Sequence, residues 1–125
     1  MAAQNGFPVP NTSVAALKKP GSRTKVGSIE LAFPGHGYTS DNLIAYIPSA
    51  GVLYGGSAVR GAGSKTLGNQ TNADLEKWQV SLNWMKTTYP KTKVVVPGHG
   101  KGANLSLVDG TIALINESAA EDATP

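Results

Sequence analysis

The alternation of apolar and polar side chains predicts several short strands. Residues 28–33 alternate with a period of two, a pattern typical of a half-buried strand, and this strand ends at Pro34. Two further apolar runs, residues 43–47 and 51–54, flank a short proline-containing segment and indicate a hairpin. Residues 93–96 are mainly valine, which predicts a short buried strand.

Helical spacing appears only in the second half of the chain. The apolar side chains of a first predicted helix recur three or four residues apart: Leu75, Trp78, Leu82, Met85 and Tyr89. Thr71 and Asn72 offer an N-cap for this helix, and Pro90 ends it. A second stripe predicts a final helix: Leu105, Val108, Ile112 and Ile115. Trp78 and Met85 are interpreted as core residues rather than cofactor contacts.

This order of elements predicts the α/β (α+β) class, with a mixed sheet and helices on one face only. The 125 residues suit a single domain, residues 1–125. Within it we expect an irregular, proline-containing arm at residues 1–27 and a half-sandwich at residues 28–117. Residues 118–125 are small and polar, and we expect this tail to fray.

Composition narrows the classes of partner. The net charge is +3, but Lys and Arg are scattered and aromatic residues are few, so we expect no nucleic-acid partner. No apolar run approaches the length of a membrane span, and the first residues lack a signal-peptide pattern, so we expect no membrane segment and no export signal. The chain has no cysteine, which excludes disulfides and thiolate zinc ligands.

The same four residues, Pro-Gly-His-Gly, follow two of the predicted strands. They occupy residues 34–37 and 97–100, and they contain the only two histidines of the chain, His36 and His99. Histidine is the commonest metal ligand and the usual general base near neutral pH, and a glycine-flanked turn presents its side chain freely. The alternative is a coincidence of turn chemistry, since proline and glycine are common at strand ends.

Four segments share the order and composition of known motifs. Residues 33–42 contain Pro-Gly and then Thr-Ser-Asp-Asn, and residues 52–57 end in Gly-Gly-Ser. Residues 67–74 contain Gly-Asn and then Ala-Asp, and residues 96–100 read Val-Pro-Gly-His-Gly. From about residue 9 to residue 117, the chain thereby resembles the C-terminal half of a metallo-β-lactamase of the di-zinc, broad-spectrum subclass. The resemblance implies half of that family's αβ/βα sandwich and a zinc cofactor.

The resemblance also shows where the metal ligands differ. Tyr38 stands at the position of a family zinc histidine and Ser57 at that of a family zinc cysteine, whereas His99 matches a zinc ligand directly. His36 lies two residues before the matching position and is an addition to the motif. With Asp41 as a candidate carboxylate, these residues are the candidate metal ligands.

The resemblance further implies two residues that would contact a substrate. Arg60 matches a lysine that binds the substrate carboxylate in many family members. Asn69 matches an asparagine near the lactam carbonyl, and it is a candidate both for catalysis and for substrate binding. The family's N-terminal half, with its His-x-His-x-Asp motif, has no counterpart in the sequence. The family acts in the bacterial periplasm, but the compartment of this chain stays open.

Three hypotheses follow. Zinc takes about three or four protein ligands, which one chain supplies poorly. A lone half of a duplicated sandwich also exposes the apolar sheet face that its other half would cover, and such a face favours a homodimer. The first hypothesis is therefore an engineered, half-length protein that forms a zinc-binding homodimer with at most weak hydrolase activity. The second is a zinc-dependent hydrolase of β-lactams or other small substrates, and the third is an inactive fragment.

Overall fold

The computed structural model describes residue 6, residues 8–9 and residues 17–122. Seven elements follow one another in this part of the chain: β1 (Ser22–Val26), β2 (Ile29–Phe33), β3 (Ile44–Ile47), β4 (Val52–Gly56), α1 (Leu75–Thr88), β5 (Val94–Pro97) and α2 (Ser106–Asp122). The predicted hairpin is confirmed as β3 and β4, and the predicted valine strand as β5.

The strands form one mixed sheet in the order β1-β2-β3-β4-β5. The first four strands are antiparallel to their neighbours, whereas β4 and β5 are parallel. A parallel pair needs a long crossover connection, and the loop after β4 together with α1 provides it. Because of these directions, β2, β4 and β5 all point the same way.

Both helices pack on one face of the sheet, as predicted. The side chains that fill this interface from the strands and the helices are almost fully buried: Ala32, Ile44, Leu53, Val95, Trp78, Leu82, Met85, Val108 and Ile115. The pair Leu53 and Val95 lies side by side in the β4–β5 register, directly under the helices. Trp78 and Met85 are core residues, in agreement with the interpretation of the sequence.

The opposite face of the sheet, which we call the open face, carries the alternate residues of each strand. In the described part of the chain no helix covers it. Most of its apolar side chains remain half-buried or exposed: Ile29, Leu31, Ala45, Ile47, Val52, Tyr54, Val94 and Val96. Phe33, at the end of β2, is the exception at 9% exposed. Tyr54 is 48% exposed and Val94 is 43% exposed. The sheet therefore has one packed face and one apolar face that solvent reaches.

The prediction of an irregular arm at residues 1–27 was wrong in part. The arm predicted to be irregular contains β1, which pairs with β2 through a tight turn at Gly27, where φ is +62°. The pattern missed β1 because its charged residues, Arg23 and Lys25, alternate with polar ones rather than with a strongly apolar set. Residues 1–5, 7 and 10–16 of the predicted arm lie outside the described residues.

The tail predicted to fray from residue 118 is instead helical as far as Asp122, and residues 123–125 lie outside the described part. Ala119 and Ala120 explain this difference, because alanine has the highest intrinsic helix propensity. No helix in the described ranges is both long and apolar enough to cross a bilayer.

Helix α1 begins later than its predicted cap. The N-cap is Asp74, whose side-chain oxygen accepts a hydrogen bond of 3.0 Å from the backbone nitrogen of Lys77. Thr71 and Asn72 therefore precede the helix rather than cap it. The end of the helix agrees with the prediction, since Tyr89 is its C-cap and Pro90 follows directly.

Candidate functional site

The two histidine turns lie at the same edge of the sheet, as predicted. His36 follows the end of β2 and His99 follows the end of β5. Since these two strands point the same way, their carboxyl ends meet at one edge. We call this the histidine edge.

The imidazole of His36 is held in one orientation. Its Nε2 lies 2.9 Å from the carbonyl oxygen of Asn72. A carbonyl oxygen only accepts hydrogen bonds, so Nε2 carries the hydrogen and Nδ1 of the neutral ring keeps its lone pair available. The backbone of the same residue is also fixed, because the buried Ser81 hydroxyl donates a 2.8 Å hydrogen bond to the His36 carbonyl.

The turn that carries His99 is fixed by its backbone, while the imidazole is exposed. The Gly98 nitrogen donates a 2.8 Å hydrogen bond to the carbonyl oxygen of Gly56 at the end of β4. This contact brings the turn against the backbone of Ser57, since a Cβ on Gly98 would lie 3.0 Å from the Ser57 nitrogen. Ser57 therefore borders the His99 turn at the histidine edge, and it is exposed.

Trp78 packs against the His36 turn, since a Cβ on Gly37 would lie 3.0 Å from its Cδ1. Its indole nitrogen donates a 2.8 Å hydrogen bond to the carbonyl oxygen of Ala58, next to Ser57. On its other side, the ring of Tyr38 meets it edge-on with 5.9 Å between the ring centroids. Tyr38 is half-buried in this contact, so the phenol that stands in place of a family ligand also contributes to packing.

Asp41 belongs to a small hydrogen-bonded loop after the His36 turn. Its carboxylate accepts a 2.8 Å hydrogen bond from the Thr39 hydroxyl. The backbone nitrogen of Thr39 donates in turn to the side-chain oxygen of the buried Asn42, at 3.1 Å. The carboxylate of Asp41 is exposed and is held in place by this loop.

Arg60 and Asn69 lie in the long loop between β4 and α1. The Nε of Arg60 donates a 3.0 Å hydrogen bond to the carbonyl oxygen of Thr66, and its backbone nitrogen donates to the Thr111 hydroxyl on α2. Arg60 also borders a cavity of about 240 Å³ against α2. The side-chain oxygen of Asn69 accepts a 2.9 Å hydrogen bond from the Thr71 nitrogen. Both side chains are thus engaged within their own loop or beside α2.

The described residues of one chain do not supply a complete metal site. Among the residues that the structure describes, no three His, Cys, Asp or Glu side chains lie close enough together to hold a metal ion. The imidazole donors at the histidine edge are Nδ1 of His36 and the exposed ring of His99, and the exposed Asp41 carboxylate lies in the loop after the His36 turn. Two imidazoles fall short of the three or four ligands that zinc usually takes.

Sequence reasoning missed the residues that hold the His36 turn. Ser81 is 2% exposed and lies three residues after Trp78, on the buried side of α1. A hydroxyl among the apolar positions of a helix must find a hydrogen-bond partner, and that mismatch was the available signal. The backbone carbonyl of Asn72 left no such signal in the sequence.

No protein-family model matches the chain. The curated relatives and the solved structures that do match belong to one family. A metallo-β-lactamase type 2 from Bacillus cereus is 32% identical over 117 residues, which are 92% of this chain and 44% of that relative.

Solved structures give the same result. A metallo-β-lactamase from Pontibacter korlensis superposes with a TM-score of 0.77 at 36% identity, over 92% of this chain and 53% of that one. FIM-1 from Pseudomonas aeruginosa, solved in its mono-zinc form, superposes with a TM-score of 0.79 at 29% identity, over 94% of this chain and 52% of that one. The chain spans about half the length of these relatives, and over that half it belongs to the metallo-β-lactamases.

Proposed function

We propose that this chain is a metallo-β-lactamase-like half-domain that pairs with a second copy of itself through the open face and binds zinc at the histidine edge. The observation that carries the proposal is the open face itself. Apolar side chains such as Leu31, Tyr54 and Val94 lie on one surface without a covering layer in the described part of the chain. Large contiguous apolar surfaces mark interaction sites, and burial of each square ångström of them contributes about 25 cal/mol.

A homodimer suits this surface because the same apolar face is present on both copies. Closed two-fold symmetry is the commonest arrangement of soluble oligomers. A two-fold axis between the two sheets and parallel to the strands would stack the open faces while keeping both histidine edges on the same side. The pair would then present four imidazoles along one edge, two from each copy.

Four imidazoles meet the ligand count of a zinc site, which a single chain does not. His36 would bind through Nδ1, because Nε2 already donates to the carbonyl oxygen of Asn72. This outer hydrogen bond is the type that orients histidine ligands in metal sites. A zinc ion in such a site would polarise a carbonyl group and acidify a bound water. The zinc-containing FIM-1 relative supports zinc as the metal.

We propose at most weak hydrolysis for this site. Arg60 and Asn69, the residues aligned with the family's substrate-side groups, make hydrogen bonds to Thr66 and Thr71 of their own loop. Neither makes a hydrogen bond to the histidine turns in the described part of the chain. Effective catalysis needs groups preorganised around the reacting atoms, so an efficient β-lactamase is the less favoured alternative.

The homodimer is tested by a charge placed on the open face. We expect Tyr54→Lys to shift the chain to a monomer in sedimentation equilibrium, because a lysine there would have to be desolvated in the interface. Val80→Lys is the matched control, since Val80 is 67% exposed on the outer side of α1 and its replacement should leave the dimer intact. A parent protein that sediments as a monomer at micromolar concentration would overturn the pairing.

The metal site is tested by zinc titration of single variants. We expect His36→Ala and His99→Ala each to weaken zinc binding by at least about tenfold, while Ser57→Ala changes it little because a neutral hydroxyl is a weak zinc ligand. Unchanged affinity in both histidine variants would favour the inactive fragment. Rapid nitrocefin hydrolysis that depends on zinc would instead favour the β-lactamase.

A further inference from the structure

A second cleft lies at the end of the sheet opposite the histidine edge. Its volume is about 510 Å³, within the usual range for small-molecule sites. It lies between the β3–β4 turn, the end of α1 and the segment that enters β5. The residues that line it include two aromatic rings, two prolines and two lysines: Tyr46, Tyr89, Pro48, Pro90, Lys91 and Lys93.

The aromatic wall of the cleft is held firmly. The rings of Tyr46 and Tyr89 lie 4.4 Å apart with an angle of 30° between their planes. The Tyr89 hydroxyl donates a 2.7 Å hydrogen bond to the Glu30 carboxylate, which is also paired with Arg23 at 3.3 Å. Tyr89 is only 3% exposed, so it supports Tyr46 from behind, and the half-buried ring of Tyr46 is the aromatic surface that the cleft offers. A flat apolar ligand can stack or pack edge-on against such a ring.

The rim of the cleft is positively charged. Lys91 and Lys93 are both exposed, and neither forms an ion pair with any residue in the described ranges. The Glu30 carboxylate on the far side of Tyr89 is already balanced by Arg23. An apolar cleft with one sign of charge at its mouth attracts ligands of the opposite sign.

We propose that this cleft binds a small planar aromatic carboxylate, with its ring against Tyr46 and its carboxylate at Lys91 and Lys93. The site is separate from the histidine edge, so it does not depend on zinc or on the proposed function. Charge complementarity favours this class over neutral or cationic aromatics, because only an anion gains from both lysines.

The test is a titration of the isotopically labelled full-length chain with 2-naphthoate, followed by amide chemical shifts. We expect saturable shifts at residues around the cleft, such as Gly51 and Thr88. We expect the double variant Lys91→Glu/Lys93→Glu to bind at least about tenfold more weakly, since each lost surface ion pair contributes modestly. The matched control is Lys65→Glu/Lys101→Glu, which makes the same change in net charge at exposed positions outside the cleft and should bind as the parent does.

A second variant tests the shape of the cleft without changing its charge. Ser49→Trp, on the exposed turn that borders the cleft, should fill the space and weaken 2-naphthoate binding while the fold is retained. The proposal is overturned if 2-naphthylmethanol binds as tightly as 2-naphthoate. It is also overturned if the shifts occur on the open face, around Tyr54, instead of at the cleft.

Discussion

The indole nitrogen of Trp78 donates a 2.8 Å hydrogen bond to the carbonyl oxygen of Ala58, joining α1 to the loop that follows β4. Both residues are almost fully buried, at 0% and 1% exposed. The same ring borders the His36 turn, since a Cβ on Gly37 would lie 3.0 Å from its Cδ1, so the bond couples the packing of the helix to the geometry of the histidine edge.

Trp78→Phe tests this bond. The variant leaves the buried Ala58 carbonyl without its donor, and an unsatisfied buried acceptor costs about 1–3 kcal/mol. We expect the free energy of unfolding, measured in urea by circular dichroism, to fall by at least that amount, because the smaller ring also leaves space unfilled. Trp84→Phe is the control, since Trp84 is half-buried and contacts Tyr89 edge-on. Equal losses in both variants would contradict the special role of Trp78.

Gly61 allows the loop after β4 to lie directly against the His99 turn. A Cβ at this position would lie 2.6 Å from the carbonyl oxygen of His99, which backbone atoms cannot easily relieve. We expect Gly61→Ala to destabilise the protein by about 1–3 kcal/mol and to shift the amide resonance of Gly100. Gly110→Ala is the contrasting variant. A Cβ there meets no atom within 4 Å, and Gly110 lies within α2, where alanine is more favourable than glycine. The free energy of unfolding should therefore rise by about 0.5–1 kcal/mol.

Much of the fold followed from the sequence because the patterns were local. The apolar stripe of α1 and the runs that became β3, β4 and β5 each identified an element directly. The residues of β1 did not identify a strand, because pairing with β2 rather than the composition of β1 determines its extended conformation. The Gly27-Ser28 pair between Val26 and Ile29 was an available hairpin signal, since glycine at the first turn position permits a positive φ.

The candidate site was predictable only in part. The position of His36 and His99 at one edge followed from strand ends. The orientation of His36 depends on Asn72 and Ser81, which are 36 and 45 residues away along the chain. Contacts over such separations arise from tertiary packing and have no periodic pattern.

Asp74 caps α1, and its removal should be measurable. Asp74→Ala removes the acceptor for the backbone nitrogen of Lys77, and loss of an N-cap costs about 0.5–2 kcal/mol. We expect Asp74→Asn to retain most of the stability, because an asparagine side chain can accept the same bond. The free energies of unfolding in urea give the comparison. A parent-like Asp74→Ala would show that the cap contributes little.

Alkaline pH should destabilise the protein partly through Tyr89. Burial raises the pKa of the Tyr89 phenol, and the Glu30 carboxylate that accepts its hydrogen bond raises this pKa further. The unfolded chain therefore loses this proton at about pH 10, before the folded chain does, so stability should fall as the pH rises beyond that value. Tyr89→Phe should show a smaller fall between pH 8 and pH 11 in urea unfolding. Identical pH profiles for the two proteins would refute this contribution.

Native mass spectrometry of the full chain with zinc tests the central proposal most directly, because one spectrum gives both the number of chains and the number of metal ions. We expect a species of two 12.9 kDa chains with bound zinc, and loss of that zinc in His36→Ala. A spectrum that contains only single chains without zinc, from a folded sample at micromolar concentration, would contradict it.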